Sequence, residues 1–246
     1  ERLLGVSLTG IMDSPLTNGK RDGVEKLLEK LKDHAVATNK KWAKKLGINR
    51  ATAITCVKPS GTVSQLVDAA SGIHARHNSY YIRTVRGDKK DPLTKMMVDA
   101  GFPVEDDVMN PNHTSVFSFP IKVDENSVFR TDMSAIEQLE LWLVYQKYWC
   151  EHKPSVTISV KEHEWLEVGA WVYEHFDYMS GVSFLPFSDH TYKQAPYQDC
   201  DEQMYKDILN KMPKIVDWSM LGEYEKTDMT VGSQELACSA AGGCEI

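Results

Sequence analysis

The stretch Lys58-Pro59-Ser60-Gly61-Thr62-Val63-Ser64, here called the Ser60 loop, has the residue types of a phosphate-binding loop. It joins an apolar, β-branched run, residues 51–57, to a predicted short helix, residues 62–70. Small residues let a phosphate approach the backbone, the first N–H groups of a helix are unpaired, and three hydroxyls add hydrogen bonds. The order differs from the GxxxxGK[ST] motif of nucleotide-binding P-loops. Spacing alone leaves two interpretations open: a phosphate-binding loop, or a turn followed by a hydroxyl-capped helix.

A second candidate for chemistry is the cysteine pair Cys238 and Cys244, joined by Ser, Ala and Gly residues. Two thiols on a segment of small residues can close into a disulfide and reopen by thiol exchange, and such a segment could carry them between two places. Two incidental exposed cysteines, or half of a metal site, are the alternatives. No metal site is predicted, because no Cys-x-x-Cys pair or histidine cluster completes a tetrahedral zinc site.

Other reactive side chains indicate less. His74 and His77 flank Arg76 shortly after the Ser60 loop and could reach an anionic ligand, but loop histidines that only form hydrogen bonds are commoner. Cys56 lies in an apolar run and Cys150 follows an aromatic stretch, so both are predicted to be core thiols.

Composition limits the class of protein. The chain has 246 residues, 42% of them apolar and 26% charged, which is typical of a globular protein. The formal net charge of −7 argues against a protein that grips nucleic-acid backbone, and no apolar run is long enough to span a membrane. The five cysteines do not form the even, dense pattern of a secreted scaffold, so a reducing, cytoplasmic location is expected. The chain opens on a strand-like run without a methionine, which suggests a piece of a longer protein.

The elements that must position these residues alternate between strands and helices, which is typical of an α/β protein with a buried sheet or barrel. No linker divides residues 1–212, and a flexible tail is expected over residues 222–246, leaving residues 1–221 as one domain. The predicted strands are residues 3–9, 51–57, 80–85, 116–123, 155–160 and 181–185. The predicted helices are residues 24–46 with Gly47 as the stop, 62–70, 92–100, 132–149 with Asp132 as the cap, 165–176 and 201–212.

Three motifs in this order resemble the C-terminal part of the adenosylcobalamin-dependent (class II) ribonucleotide reductases, especially the monomeric type that reduces triphosphates. The first is Cys-Val-Lys-Pro-Ser-Gly-Thr-Val-Ser-Gln-Leu-Val from Cys56, followed by Ser-Gly-Ile-His-Ala-Arg from Ser71. The second is Ser-Gly-Val-Ser-Phe-Leu-Pro from Ser180. The third is the ending from Glu235 with Cys238 and Cys244. The resemblance covers essentially the whole chain.

The resemblance implies the second half of a ten-stranded α/β barrel, with adenosylcobalamin as cofactor and ribonucleotides as substrates. It implies that Ser60, Gly61, Thr62, Val63 and Ser64 hold the substrate phosphates, in agreement with the first interpretation of the loop. It also implies that Cys238 and Cys244 re-reduce the active-site cysteines and are themselves reduced by thioredoxin.

The radical cysteine of that family lies in an Asn-Pro-Cys loop, and no cysteine of this sequence has that context. An N-terminal half carrying this loop is therefore expected as a partner, and the effector-binding region is expected there too. The family's terminal cysteines are often separated by four residues, whereas five separate them here. The alternative is a non-catalytic half-barrel that binds a nucleotide or a partner, although such a module has no use for a redox dithiol.

Overall fold

The structure, a computed structural model, describes residues 2–61, 63–187 and 192–226. These residues form two compact units: residues 2–76 with 124–187, and residues 77–123 with 192–226. The sequence shows no linker between them because the second unit consists of two separate segments that the first unit interrupts. The described residues form a mixed α/β protein with eight strands in three sheets.

The first unit contains two parallel strand pairs, β1 with β2 and β6 with β7. Its elements are β1 (Leu3–Ser7), α1 (Val24–Leu46), β2 (Ala53–Cys56), α2 (Val63–Leu66), α4 (Ala135–Tyr148), β6 (Ser155–Val160), α5 (Trp165–Glu174) and β7 (Gly181–Pro186). Strand β6 alternates between buried and half-buried residues, and β1 is exposed along its whole length. The chain bridges β2 and β6, since the N–H of Ser155 donates to the carbonyl of Val57 at 3.0 Å.

Helix α4 supplies the centre of this unit's core. Leu139, Trp142 and Tyr145 are fully buried at a spacing of three residues, which places them on one side of the helix. The helix starts at Ser134, whose hydroxyl accepts from the N–H of Glu137 at 3.1 Å, while the Glu137 carboxylate accepts from the N–H of Ser134 at 2.7 Å. The predicted cap Asp132 is therefore wrong by two residues, because the reciprocal Ser134–Glu137 pair satisfies two N–H groups at once.

The second unit is built on a four-stranded antiparallel sheet of order β4-β5-β3-β8. Its elements are β3 (Tyr80–Asp88), α3 (Pro92–Asp99), β4 (Val104–Asp106), β5 (Thr114–Lys122), β8 (Tyr197–Asp199), α6 (Glu202–Lys211) and α7 (Leu221–Tyr224). The short strands β4 and β8 were not predicted, since three residues are too few to show an alternating pattern.

The boundary predicted at residues 221/222 falls inside helix α7. The hydroxyl of Tyr224 donates to the Asp99 carboxylate of α3 at 2.9 Å, so residues 222–224 belong to the second unit. Residues 227–246 lie outside the described residues, and with them most of the predicted tail, residues 222–246, and both of its cysteines. Within the described ranges, no helix is long and apolar enough to cross a membrane.

Candidate functional site

The Ser60 loop leaves the end of β2 and turns into α2, and two of its serines close the turn. The hydroxyl of Ser60 accepts from the N–H of Ser64 at 2.9 Å, and the hydroxyl of Ser64 donates to the carbonyl of Ser60 at 2.6 Å. Ser64 is fully buried. Ser60 thus caps the N–H of Ser64 in the first turn of the helix, and the Ser64 side chain is buried. Both hydroxyls shape the loop.

The outer side of the loop is formed by Gly61 and Val63. Among the described residues, neither of their N–H groups donates a hydrogen bond. A β-carbon built on Gly61 meets no atom within 4 Å, and the Val63 side chain is 62% exposed. Thr62, between them, lies outside the described residues. The loop therefore presents backbone donors beside open space, which is the arrangement that an anion requires.

A positive charge stands at the start of the loop. The ammonium of Lys58 donates to the carbonyl of Lys153 at 2.6 Å and to the hydroxyl of Ser155 at 3.0 Å, at the beginning of β6. Lys58 is exposed. Neither of these partners carries a charge, so the ammonium charge is not neutralised by them.

Two contacts fix the loop to the following turn. The N–H of Ser60 donates to the hydroxyl of Ser71 at 2.8 Å. Gly72 has a positive φ of 55°, and a β-carbon there would lie 2.8 Å from the carbonyl oxygen of Lys58. Only glycine allows this close approach of the two segments. Ser71 and Gly72 belong to the second part of the first motif. No role was predicted for them from the sequence, because they contact another segment of the chain, the Ser60 loop, rather than a ligand.

His74 and Arg76 are used inside the first unit. The N–H of Thr157 donates to Nε2 of His74 at 3.0 Å, so Nδ1 carries the proton and donates to the carbonyl of Ser71 at 2.9 Å. Burial lowers the pKa of His74, and the hydrogen bond to Ser71 opposes this only in part. The Arg76 guanidinium, 6% exposed, pairs with the Asp13 carboxylate at 2.8 Å and with Asp68 at 3.2 Å.

His77 lies in the second unit. Its Nε2 is 3.0 Å from the Asp199 carboxylate, and its ring stacks on Tyr197 with a centroid distance of 5.5 Å. The two histidines considered as anion ligands, His74 and His77, thus each have protein partners, as does Arg76 between them.

The described cysteines are free thiols, and Cys56 and Cys150 are buried as predicted. Burial, with a smaller contribution from the neighbouring Cys56 thiol, raises the pKa of Cys150 to about 12. Such a thiol is not a nucleophile at neutral pH. Cys238 and Cys244 lie outside the described residues.

Comparison with known proteins places these features in a family, although no family model matches the chain. It is 34% identical over 234 residues to a probable adenosylcobalamin-dependent ribonucleoside-triphosphate reductase of Dictyostelium discoideum, covering 89% of this chain. It is 29% identical over 229 residues to the adenosylcobalamin-dependent ribonucleoside-triphosphate reductase of Euglena gracilis, covering 92% of this chain.

The fold agrees with the sequence. A crystal structure of a B12-dependent (class II) ribonucleotide reductase matches with a TM-score of 0.71 and 27% identity, over 82% of this chain and 28% of that one. The chain spans 29% and 31% of the length of the two curated relatives. Similarity in residues and in fold over nearly the whole chain shows that it belongs to the adenosylcobalamin-dependent (class II) ribonucleotide reductases, as a homologue of part of those proteins.

Proposed function

We propose that this chain is the C-terminal portion of a ribonucleoside-triphosphate reductase, and that it supplies the loop that holds the substrate phosphates. The observation that carries the proposal is the similarity to reductases over 89% of the chain. The Ser60 loop supports it, since the N–H groups of Gly61 and Val63 donate to no described residue and a β-carbon on Gly61 would meet no atom within 4 Å. The reaction class is reduction of a ribonucleotide to a deoxyribonucleotide by radical chemistry.

In the proposed complex, the N–H groups of Gly61, Thr62 and Val63 donate to phosphate oxygens, and the ammonium of Lys58 adds a positive charge nearby. Ser60 and Ser64 act through the loop's shape, because their hydroxyls bond within it. This revises the expectation that the Ser64 hydroxyl itself binds phosphate. Hydrogen bonds from backbone N–H groups to a charged oxygen are each about twice as strong as neutral ones.

The exposed strand β1 supports a second part of the proposal, that the chain forms half of a ten-stranded barrel. Leu3, Leu4 and Val6 are 56%, 45% and 39% exposed, although a strand with this apolar content is normally covered. At the outer strand of the other pair, β7, Leu185 is 53% exposed. We propose that strands from the N-terminal half of the reductase, which carries the Asn-Pro-Cys loop, cover these edges.

The cysteine pair has a redox role in this proposal. Reduction of the ribose 2′ carbon takes two electrons from a pair of active-site thiols in the N-terminal half and leaves them as a disulfide. A thiolate of Cys238 or Cys244 attacks that disulfide, and the second thiol of the pair completes the exchange, so that the disulfide passes to Cys238–Cys244. Thioredoxin then reduces it. Reduction by thioredoxin requires a reducing compartment, so the proposal includes a cytoplasmic location.

The relatives are named for adenosylcobalamin, and we propose that the assembled reductase uses this cofactor. A cavity of about 580 Å³ in the second unit is not assigned to the cofactor, because its wall carries the charged side chains Lys89, Lys95, Asp99 and Glu105 beside Val98 and Val104.

The phosphate site is tested by titrating inorganic tripolyphosphate and CTP into the full chain by calorimetry. Gly61→Val should lower the affinity at least tenfold without lowering the melting temperature, because a side chain at this position meets only the space that the phosphate would occupy. Gly169→Val, at another glycine with nothing within 4 Å, is the matched control and should bind as the unsubstituted chain does. Equal binding by Gly61→Val would contradict the assignment.

The dithiol distinguishes the proposal from the alternative, a non-catalytic binding module. In the assembled reductase, Cys238→Ser or Cys244→Ser should nearly abolish turnover with thioredoxin but leave substantial turnover with dithiothreitol, which reaches the active-site disulfide directly. Equal loss with both reductants would mean that the cysteines are structural, and no loss with either would mean that they have no part in the reaction.

A further inference from the structure

The Ser60 loop is held at its first turn by Ser71, whose side chain is 9% exposed. The Ser71 hydroxyl accepts from the N–H of Ser60 at 2.8 Å, one residue before Gly61. Ser60 in turn caps the N–H of Ser64. A shift of the Ser71 hydroxyl therefore moves the residue that sets the direction of the outer N–H groups of the loop.

Ser71 is itself held by His74. The carbonyl of Ser71 accepts both from the backbone N–H of His74 and from its Nδ1–H, each at 2.9 Å. Nε2 of the same ring accepts from the N–H of Thr157 in β6 at 3.0 Å. One imidazole thus joins β6 to the turn that carries Ser71.

The other side of this turn rests on the segment that follows β1. The N–H of Gly72 donates to the hydroxyl of Thr9 at 3.0 Å, and the N–H of Gly10 donates to the carbonyl of Ala70 at 2.8 Å. The turn is therefore fixed from both neighbouring segments, and the hydroxyl of Ser71 faces the Ser60 loop from a defined position.

We infer that Ser71 and His74 are positioning residues for substrate phosphate: a chain of hydrogen bonds from Thr157 through His74 and Ser71 to Ser60 orients the N–H groups of Gly61 and Val63. This inference rests on the proposed function and adds to it two residues that touch no phosphate. It predicts that affinity for phosphate depends on side chains that lie behind the loop.

The test uses the full chain, with inorganic tripolyphosphate as the probe and amide hydrogen exchange as a second measurement. Ser71→Ala removes the acceptor of the Ser60 N–H, and His74→Leu removes both ring contacts. His74→Gln keeps one polar group near Thr157. Loss of a buried partner should weaken binding about tenfold in Ser71→Ala and His74→Leu, with His74→Gln in between. Exchange of the Ser64 N–H should become about tenfold faster in Ser71→Ala, because its acceptor Ser60 is released.

The matched control is Thr84→Val, which deletes a buried hydroxyl that donates to the carbonyl of Ala195 at 2.8 Å in the second unit and takes no part in the chain of hydrogen bonds from Thr157 to Ser60. It should leave tripolyphosphate affinity and Ser64 exchange unchanged. Unchanged affinity in both Ser71→Ala and His74→Leu, or an equal loss in Thr84→Val, would overturn the inference.

Failure of the proposed function gives a different result. If the unsubstituted chain binds no tripolyphosphate, the phosphate site itself is wrong, and the exchange measurement alone then decides on the positioning role. Unchanged Ser64 exchange in Ser71→Ala would overturn that role as well. If Ser71→Ala does not fold, tripolyphosphate affinity and exchange of the Ser64 N–H are measured on His74→Gln and His74→Leu.

Discussion

Gly72 offers the sharpest test of how the Ser60 loop is built. Replacing it by alanine has two costs. Its φ of 55° is in the left-handed region, which costs a residue with a β-carbon roughly 1–2 kcal/mol. The added β-carbon would also lie 2.8 Å from the carbonyl oxygen of Lys58 and 3.3 Å from its carbon, so that the loop must move. Overpacking of this kind costs about 1–3 kcal/mol.

The two costs are separated by Gly47→Ala. Gly47, which ends helix α1, has a φ of 68°, but a β-carbon there meets nothing within 4 Å. Gly47→Ala thus carries the backbone strain without the clash. We expect Gly72→Ala to lower the free energy of unfolding by about 1–3 kcal/mol more than Gly47→Ala does.

The measurement is urea unfolding of both variants, followed by tryptophan fluorescence. Trp142 and Trp149, both buried in the first unit, report on the unit that contains both glycines. Tripolyphosphate affinity should fall only in Gly72→Ala, since only there is the carbonyl of Lys58 displaced. Equal free energies of unfolding and equal tripolyphosphate affinities for the two variants would contradict the close approach of Gly72 to the carbonyl of Lys58.

Three further predictions concern the support of the site. Asp13→Asn should lower the free energy of unfolding by about 3 kcal/mol or more, because it removes the charge that faces the buried Arg76 guanidinium. Asp68→Asn, at a carboxylate that is 71% exposed, should lower it by less than about 1 kcal/mol in the same urea experiment. Because the pKa of His74 is lowered in the folded chain, the histidine is protonated in the unfolded chain first as the pH falls. The free energy of unfolding should therefore decline below about pH 6.5. In unfolding measured from pH 8 to 5, His74→Gln should remove that part of the decline. Tyr145→Phe should cost about 1 kcal/mol, since the hydroxyl donates to the carbonyl of Thr17 at 2.8 Å inside the core, and no change in the urea midpoint would contradict this.

Much of the fold could be predicted from local pattern. Helix α1 begins and ends where the apolar spacing and Gly47 indicate, and the strands at residues 53–56 and 155–160 lie where β-branched residues cluster. The strand at residues 181–186 lies on the short run that Pro186 was predicted to stop. Strands β4 and β8 were missed because each has three residues, and their pairing with β5 and β3 is a long-range contact that no local pattern shows. Helix α2 is shorter than predicted, four residues, because the chain turns at Asp68 with a positive φ of 46° to follow the segment after β1.

The position of the candidate site in the chain could be predicted from the sequence, but the contacts that its side chains make could not. Gly61 and Ser60 were recognised because small residues and hydroxyls after a strand are typical of anion loops. The Ser64 hydroxyl turns inward to the carbonyl of Ser60, a choice between loop and ligand that residue type alone does not decide. The use of Arg76 in a buried ion pair depends on Asp13, 63 residues away in the chain. Such partners cannot be read from the spacing of a single sequence.

The central claim, that this chain is the C-terminal portion of a reductase, is tested most directly by reconstitution. The Dictyostelium discoideum relative is expressed as two polypeptides, divided where its similarity to this chain begins, and dCTP formation from CTP is measured with adenosylcobalamin and dithiothreitol. Its own C-terminal polypeptide is the positive control, and this chain is then used in its place. We expect dCTP with this chain present, none from this chain alone, and at least a tenfold loss with Gly61→Val. Activity with the control polypeptide but none with this chain would contradict the claim, as would turnover by this chain alone.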